Sequence, residues 1–142
     1  MLGNLKVYLA GACRDVDDEG AGWREEATKK LNKVAEWVNA QIVVINPVKY
    51  FTYANNSGNS SKQIKAYYMS RLRDCDLILV NLKGTATSVG TGQECQFAVD
   101  NHIPIIGFND DNSYPWIAEV DADVVFSNLN LAIDYIRDYY LV

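Results

Sequence analysis

The chain has 142 residues, 49% of them hydrophobic and 22% charged, with a formal net charge of −5. That length suits a single domain spanning residues 1–142 with a core large enough to need no disulfide or structural metal, and the composition excludes disorder and collagen-like repeats. The acidic balance argues against a protein that coats a nucleic-acid backbone, because such binding needs a basic face.

No apolar run approaches the ~18–20 residues that cross a bilayer. Met1 to Lys6 carries no basic stretch ahead of an apolar one, so a secretory signal is not expected and a cytoplasmic location is. Cys13, Cys75 and Cys95 are odd in number and form no C-x-x-C pair. This suits reduced thiols and excludes a zinc finger. With His102 the only histidine, two-histidine metal sites and Ser-His-Asp chemistry have little to work with. Carboxylates remain, and no metal or organic cofactor is expected.

In chain order, Lys6–Leu9 is a β-prone run ending in the small residues Ala10-Gly11-Ala12. From Gly22 to Asn39, Trp23, Ala27, Leu31, Val34, Ala35 and Val38 recur at helical spacing. Their polar face is read as Arg24, Glu25, Lys29, Lys30 and Lys33. Ile42–Ile45 is a continuous apolar strand stopped by Asn46-Pro47, and its lack of alternation predicts burial on both faces. Tyr53–Ser61 reads as a loop over a site, followed by a helix from about Ser61 to Arg73. Leu77–Leu82 is a third strand, and the Gly/Thr/Ser-rich segment from Lys83 to Gly92 leads into a helix over Gln93–Asn101. Ile103–Phe108 and, after a polar turn, Asp123–Phe126 complete the strands. Leu129–Tyr140 closes the chain as a helix.

This alternation predicts one α/β domain, a doubly wound, parallel, five-stranded sheet of Rossmann-like or flavodoxin-like type. Ligands of such sheets bind beyond the C-terminal strand ends, which here means the loops Ala10–Arg14, Asn46–Tyr53 and Lys83–Gly92. Asn46 is a candidate substrate contact on that edge. Tyr50, Phe51 and Tyr53 could stack on a nucleobase, or equally close the core edge or a subunit contact.

The most informative segment is Ser88-Val-Gly-Thr-Gly-Gln-Glu94. Gly90 and Gly92 would let backbone approach a ligand, and a helix N-terminus favours an anionic group. Glu94, expected in the first helical turn and held ionised by the dipole, is a candidate nucleophile toward a glycosidic carbon. Thr91-Gly-Gln-Glu94 also reads as a capping box, in which Glu94 only satisfies a backbone amide. Asp76 is read as a structural acid bonding loop amides. His102 and Cys13 are read as structural, and Asp15, Asp17, Asp18 and Glu19 as a solvated acidic loop.

Arg73-Asp-Cys-Asp-Leu-Ile-Leu-Val-Asn-Leu82, then Ser88-Val-Gly-Thr91, Glu94, Ala98 and Pro104, resemble the nucleoside 2-deoxyribosyltransferase family. So do Val7–Gly11, Gly22-Trp-Arg-Glu25, Tyr114-Pro-Trp-Ile117 and Asn130–Ile133, so the similarity spans nearly the whole chain. The resemblance implies a flavodoxin-like subunit that breaks the N-glycosidic bond of a 2′-deoxynucleoside. A covalent deoxyribosyl–glutamate intermediate then passes the sugar to another nucleobase. Glu94 stands at the nucleophile's position and Tyr8 at that of a tyrosine beside it. Gly11 belongs to the loop under the base, and Ser88 and Gly90 to the loop at the sugar's 5′ end. The partners implied are a small nucleoside or nucleotide, a free nucleobase and a second copy of the chain, in a homodimer or larger assembly; Tyr135, Tyr139 and Tyr140 read, from the residues themselves, as a buried or intersubunit face.

The chain departs from the family pattern twice. Ser88 replaces an aspartate that many transferases use on the 5′-hydroxyl. It resembles the small hydroxyl residue of the related deoxynucleoside 5′-monophosphate N-hydrolases, where water is the acceptor. Tyr68 stands where the family usually has an aspartate that protonates the leaving base. That departure also keeps open a non-catalytic nucleotide-binding module.

Overall fold

Five short apolar segments build the sheet because each is bracketed by Gly, Pro, Asn or Asp and is too short for a buried helix. The computed structural model describes residues 4–13, 18, 20–49, 61–111 and 114–141. Asp15, Asp17, Glu19, Tyr50, Phe51, Tyr53 and the loop expected there up to residue 60 lie outside the described residues. The elements are β1 (Leu5–Gly11), α1 (Ala21–Trp37), β2 (Ile42–Ile45), α2 (Ser61–Arg73), β3 (Leu77–Asn81), α3 (Val89–Asp100), β4 (Ile105–Phe108), α4 (Trp116–Val120), β5 (Val124–Phe126) and α5 (Leu129–Tyr140). Single 3-10 turns occupy Pro47–Lys49 and Thr85–Thr87.

All strand pairs are parallel, in the order β2-β1-β3-β4-β5. This is the flavodoxin-like order, whose direction reverses between β1 and β3. Alternation along β1 divides the core in two. Val7 and Leu9 pack with Ala27 and Leu31 of α1 and with Ala132, Ile133 and Ile136 of α5. Tyr8 and Ala10 point the other way, onto Leu72 of α2, Cys95 and Ala98 of α3, and Ile117 of α4. Tyr8 therefore enters the layer that contains α3, and that parity is what positions the site.

Leu79, at the centre of β3, is fully buried. Leu79→Ala is expected to destabilise the fold by about 2–5 kcal/mol, since a central strand cannot close around the cavity. A lowered urea midpoint with an unchanged denaturant slope would be the signature.

Three expectations are corrected here. Ile42–Ile45 is an edge strand, so Ile42, Val43 and Val44 are only half-buried and Ile45 alone is buried. Arg24 does not belong to the polar face of α1. It is 1% exposed and shares the buried stripe with Ala27, Leu31 and Ala35. The segment read as a polar turn before β5 contains α4, whose Ile117 and Ala118 reach the core.

Asp76 does what its position suggested, accepting the Lys6 amide at 2.8 Å and tying β3 to the start of β1. Cys75 and Cys95 are buried, and burial pushes both thiols up to about 12, which leaves them protonated and inert at neutral pH.

Candidate active site

The C-terminal end of β1 and the first two turns of α3 meet where the strand order reverses. Helix α3 begins earlier than its composition suggested, at Val89, because Ser88 caps it. The Ser88 hydroxyl accepts the Thr91 amide at 3.4 Å and lies 2.7 Å from the Thr91 hydroxyl. Ser88, not Thr91, is therefore the N-cap, and the capping-box alternative for Glu94 falls. Glu94 sits six residues past the cap, in the second turn, too far round to bond the cap amide.

There the Tyr8 hydroxyl donates to a Glu94 carboxylate oxygen. Burial dominates the electrostatics of this pair. It lifts Glu94 to about 7, against the Tyr8 hydrogen bond and the Arg24 charge, which both pull it down. It also pushes the Tyr8 hydroxyl well above its ordinary range, reinforced by the neighbouring carboxylate. Tyr8 thus remains a donor at any neutral pH, while Glu94 changes charge near neutrality. The expectation that the helix dipole holds Glu94 ionised is corrected: in the second turn the dipole is weak and desolvation wins.

The other sequence candidates surround this pair unequally. Gly11 ends β1, and a Cβ there would lie 3.2 Å from the Trp23 ring and from the Asn81 carbonyl, so no larger residue fits without a shift. Gly90 and Gly92 have open space where a Cβ would stand, so they leave the face of α3 bare beside Glu94. Tyr68 of α2 approaches Tyr8 closely enough to influence its proton, and its hydroxyl donates to the Pro47 carbonyl at 3.3 Å. Asn46, at the end of β2, has a buried side-chain oxygen with no hydrogen-bond partner among the described residues. No group of three metal-ligating side chains occurs among the described residues. His102 is exposed, in a left-handed conformation just past α3, and Cys13 is half-buried beside the Gly11 carbonyl.

Sequence reasoning missed Arg24 as a member of the site. Its guanidinium donates to the carbonyls of Leu9 (3.4 Å), Gly20 (3.0 Å) and Gly11 (3.0 Å), and lies 4.9 Å from the centre of the Trp23 ring. The spacing Arg24, Ala27, Leu31, Ala35 was the available signal, because it puts the arginine on the apolar stripe. Chemically, the arrangement offers a desolvated carboxylate held by a permanent donor, with a bare helix face beside it. Such a carboxylate suits attack on an electrophilic carbon whose transition state carries positive charge.

A family model described as nucleoside 2-deoxyribosyltransferase matches residues 7–132. No individually curated protein matches by sequence. Among solved structures, a conserved protein from Enterococcus faecalis superposes with a TM-score of 0.74 at 14% identity, covering 96% of this chain and 99% of that one. A 2-deoxyribosyltransferase from Bacillus psychrosaccharolyticus gives 0.67 at 14% identity, covering 92% and 91%. A CMP N-glycosidase from Clostridium botulinum gives 0.51 at 16% identity, covering 94% and 98%.

Proposed function

The chain belongs to the nucleoside 2-deoxyribosyltransferase family, and from that premise we propose that it cleaves the N-glycosidic bond of a 2′-deoxynucleoside and transfers the deoxyribosyl group to a second nucleobase. The observation that carries this reading is the hydrogen-bonded Tyr8–Glu94 pair at the β1/β3 switch point. The Glu94 carboxylate attacks C1′ as the C1′–N bond breaks, and the bonding pair leaves with the base nitrogen. The base takes up a proton from Tyr68 or from water, since a phenol stands where the family has a carboxylic acid. Tyr8 orients the attacking carboxylate and keeps its own proton throughout. The acceptor base then attacks C1′ from the face opposite Glu94, gives its N–H proton to the group that protonated the leaving base, and returns Glu94 to a carboxylate as the C1′–O bond breaks.

Ser88, Gly90, Gly92, Gly11 and Asn46 are taken as the substrate's surroundings, with the sugar along the bare start of α3. Tyr139 and Trp37 leave exposed aromatic surface on α5 and α1, and a homodimer or larger symmetric assembly is part of this reading. The deciding assay is liquid chromatography after incubation with 2′-deoxynucleosides or their monophosphates, with and without a second free base. Base exchange without free sugar supports the transferase. Free deoxyribose or its 5-phosphate identifies a hydrolase. No release of base in any arm sinks the enzymatic reading and leaves a nucleotide-binding module.

The specific feature favouring the hydrolase alternative is Ser88 as cap of the twelve-residue α3. A helix N-terminus with unpaired backbone amides suits a 5′-phosphate, and a hydroxyl admits it where a carboxylate would repel it. Ser88→Asp tests this cleanly, because aspartate caps a helix about as well as serine. Thermal stability is expected to be nearly unchanged, while monophosphate turnover falls at least about tenfold relative to nucleoside turnover. Equal loss on both substrates would remove Ser88 from the phosphate's path.

A further inference from the structure

We propose that Arg24 is a positioning residue of this site: its buried guanidinium completes the open end of β1 and so fixes the strand from which Tyr8 holds the Glu94 carboxylate. The backbone itself creates the need. The Leu5 amide bonds the Gln41 carbonyl on the β2 side, while the Lys6 carbonyl accepts the Asp76 amide on the β3 side. Odd-numbered residues of β1 therefore direct their polar groups toward β2. The β1–β2 register ends at Tyr8 against Ile45. The next donor in that ladder would be residue 47, which is a proline and has no N–H.

The Leu9 carbonyl is thus stranded by Pro47, and the Gly11 carbonyl lies beyond the end of β2 altogether. Arg24 covers both and ties in Gly20 as well. A planar fork with five donors can serve three carbonyls at once, whereas a lysine ammonium is a single point. The surrounding chain is shaped to admit it. Gly20 has φ +80°, and a Cβ there would collide with the guanidinium and lie 2.8 Å from the Ala12 carbonyl.

Carbonyl partners satisfy hydrogen bonds but do not neutralise the charge. No carboxylate among the described residues lies within ion-pair distance of Arg24, so its field acts through a poorly polarisable interior on the groups that face it, the exposed Asp18 ahead of α1 as well as Glu94. Tyr8 of β1 hydrogen-bonds Glu94, the charge of Arg24 on α1 favours the ionised form of that carboxyl, and Tyr68 of α2 acts on Tyr8. Cys95 lies beside Glu94 on α3 and in turn faces Asp121 after α4. Of these groups only Arg24 is a cation. It therefore opposes the desolvation of Glu94 from a fixed position set by β1.

The catalytic meaning of this role rests on the proposed function, but its test does not. The side-chain carboxyl of Glu94 is followed by carbon-13 NMR titration in wild type, Arg24→Gln and Arg24→Lys, with Glu94→Gln assigning the signal. Wild type is expected to titrate near 7. Arg24→Gln should move the midpoint up by about one unit or more, and Arg24→Lys should restore most of it. In the lysine variant the Gly11 and Gly20 amides should still shift, because the fork is lost. A folded Arg24→Gln with an unmoved midpoint overturns the proposal. If that variant does not fold, an Arg24→Lys protein with unchanged Gly11 and Gly20 amides overturns it instead, and shifted amides support it. A protein that releases no base yet shows these shifts loses the proposed function and keeps the role of Arg24; turnover with an unmoved midpoint does the reverse.

Discussion

Glu94→Gln is expected to abolish nucleoside turnover, by at least about 10⁴-fold, while making the protein more stable at alkaline pH. The first effect follows from covalent chemistry, because a neutral amide cannot capture C1′ and the two-step route closes. The second follows from the same carboxylate's burial. An ordinary glutamate titrates near 4.5, and in the fold Glu94 titrates near 7. Between those values the folded chain holds a proton that the unfolded chain has released. Stability therefore falls as pH rises through this window, and above about 7 the ionised carboxylate costs up to about 3 kcal/mol.

Glutamine keeps the shape and the acceptor oxygen for Tyr8 but has no charge to desolvate. Wild type and variant should melt together near pH 4, and the variant should melt higher at pH 8. Comparing the two proteins at each pH cancels the contribution of every other titrating group. Activity that survives in Glu94→Gln would falsify nucleophilic catalysis by this residue. A variant that melts lower than wild type at pH 8 would mean the carboxylate is better paired than its surroundings indicate.

Tyr8→Phe should shift the pH dependence more than it lowers the maximal rate. The Tyr8 hydrogen bond favours the charged form of Glu94, and a hydrogen bond to a charged group contributes about 1.5–3 kcal/mol. Its loss corresponds to a rise of about 1–2 units in the carboxylate's titration. In wild type, kcat/KM should climb tenfold per pH unit below about 7 and level off above it, because only the ionised form attacks. In Tyr8→Phe the same rise should be displaced to higher pH. Turnover at pH 7 then falls about 5–50-fold and recovers to within about twofold by pH 9. A uniform loss at every pH would instead assign Tyr8 to the sugar. Removing the phenol also leaves Tyr68 as the nearest hydroxyl on α2, so Tyr8→Phe/Tyr68→Phe shows whether one can stand in for the other.

The fold was legible because its signals are local. Apolar runs separated by Gly, Pro and Asn gave five strands, and their alternation with helical periodicity gave a parallel sheet. The burial of β2 was misread because an apolar run does not reveal whether a strand is central or at an edge; that depends on the order in which strands assemble. Helix α4 was missed because five residues are too few to express a period. At the site, the conjunction of Ser88, Glu94 and Tyr8 was readable from motif resemblance. The state of Glu94 was not, because its charge depends on the depth of the second turn of α3, which moved when Ser88 proved to be the cap. Arg24 was overlooked for a related reason. A cation on an apolar stripe looks like surface until the carbonyls it covers are known, and one of them, that of Leu9, is stranded by a proline 23 positions beyond Arg24 in the chain.

The Tyr8–Glu94 contact joins residues 86 positions apart, and this governs when a growing chain can acquire its site. Strand β1 is made first, but its inner edge pairs with β3, about seventy residues later in synthesis. Until then β1 has only the short β2 as a neighbour, and Tyr8 has no α3 to bury it. The two halves of the site therefore mature together, late, after the central pairing has met its loop-closure entropy. A ribosome-bound chain lacking the last third would present apolar β1 and β3 without the cover of α5. Chaperone engagement during translation should consequently fall once α3 and α5 have emerged.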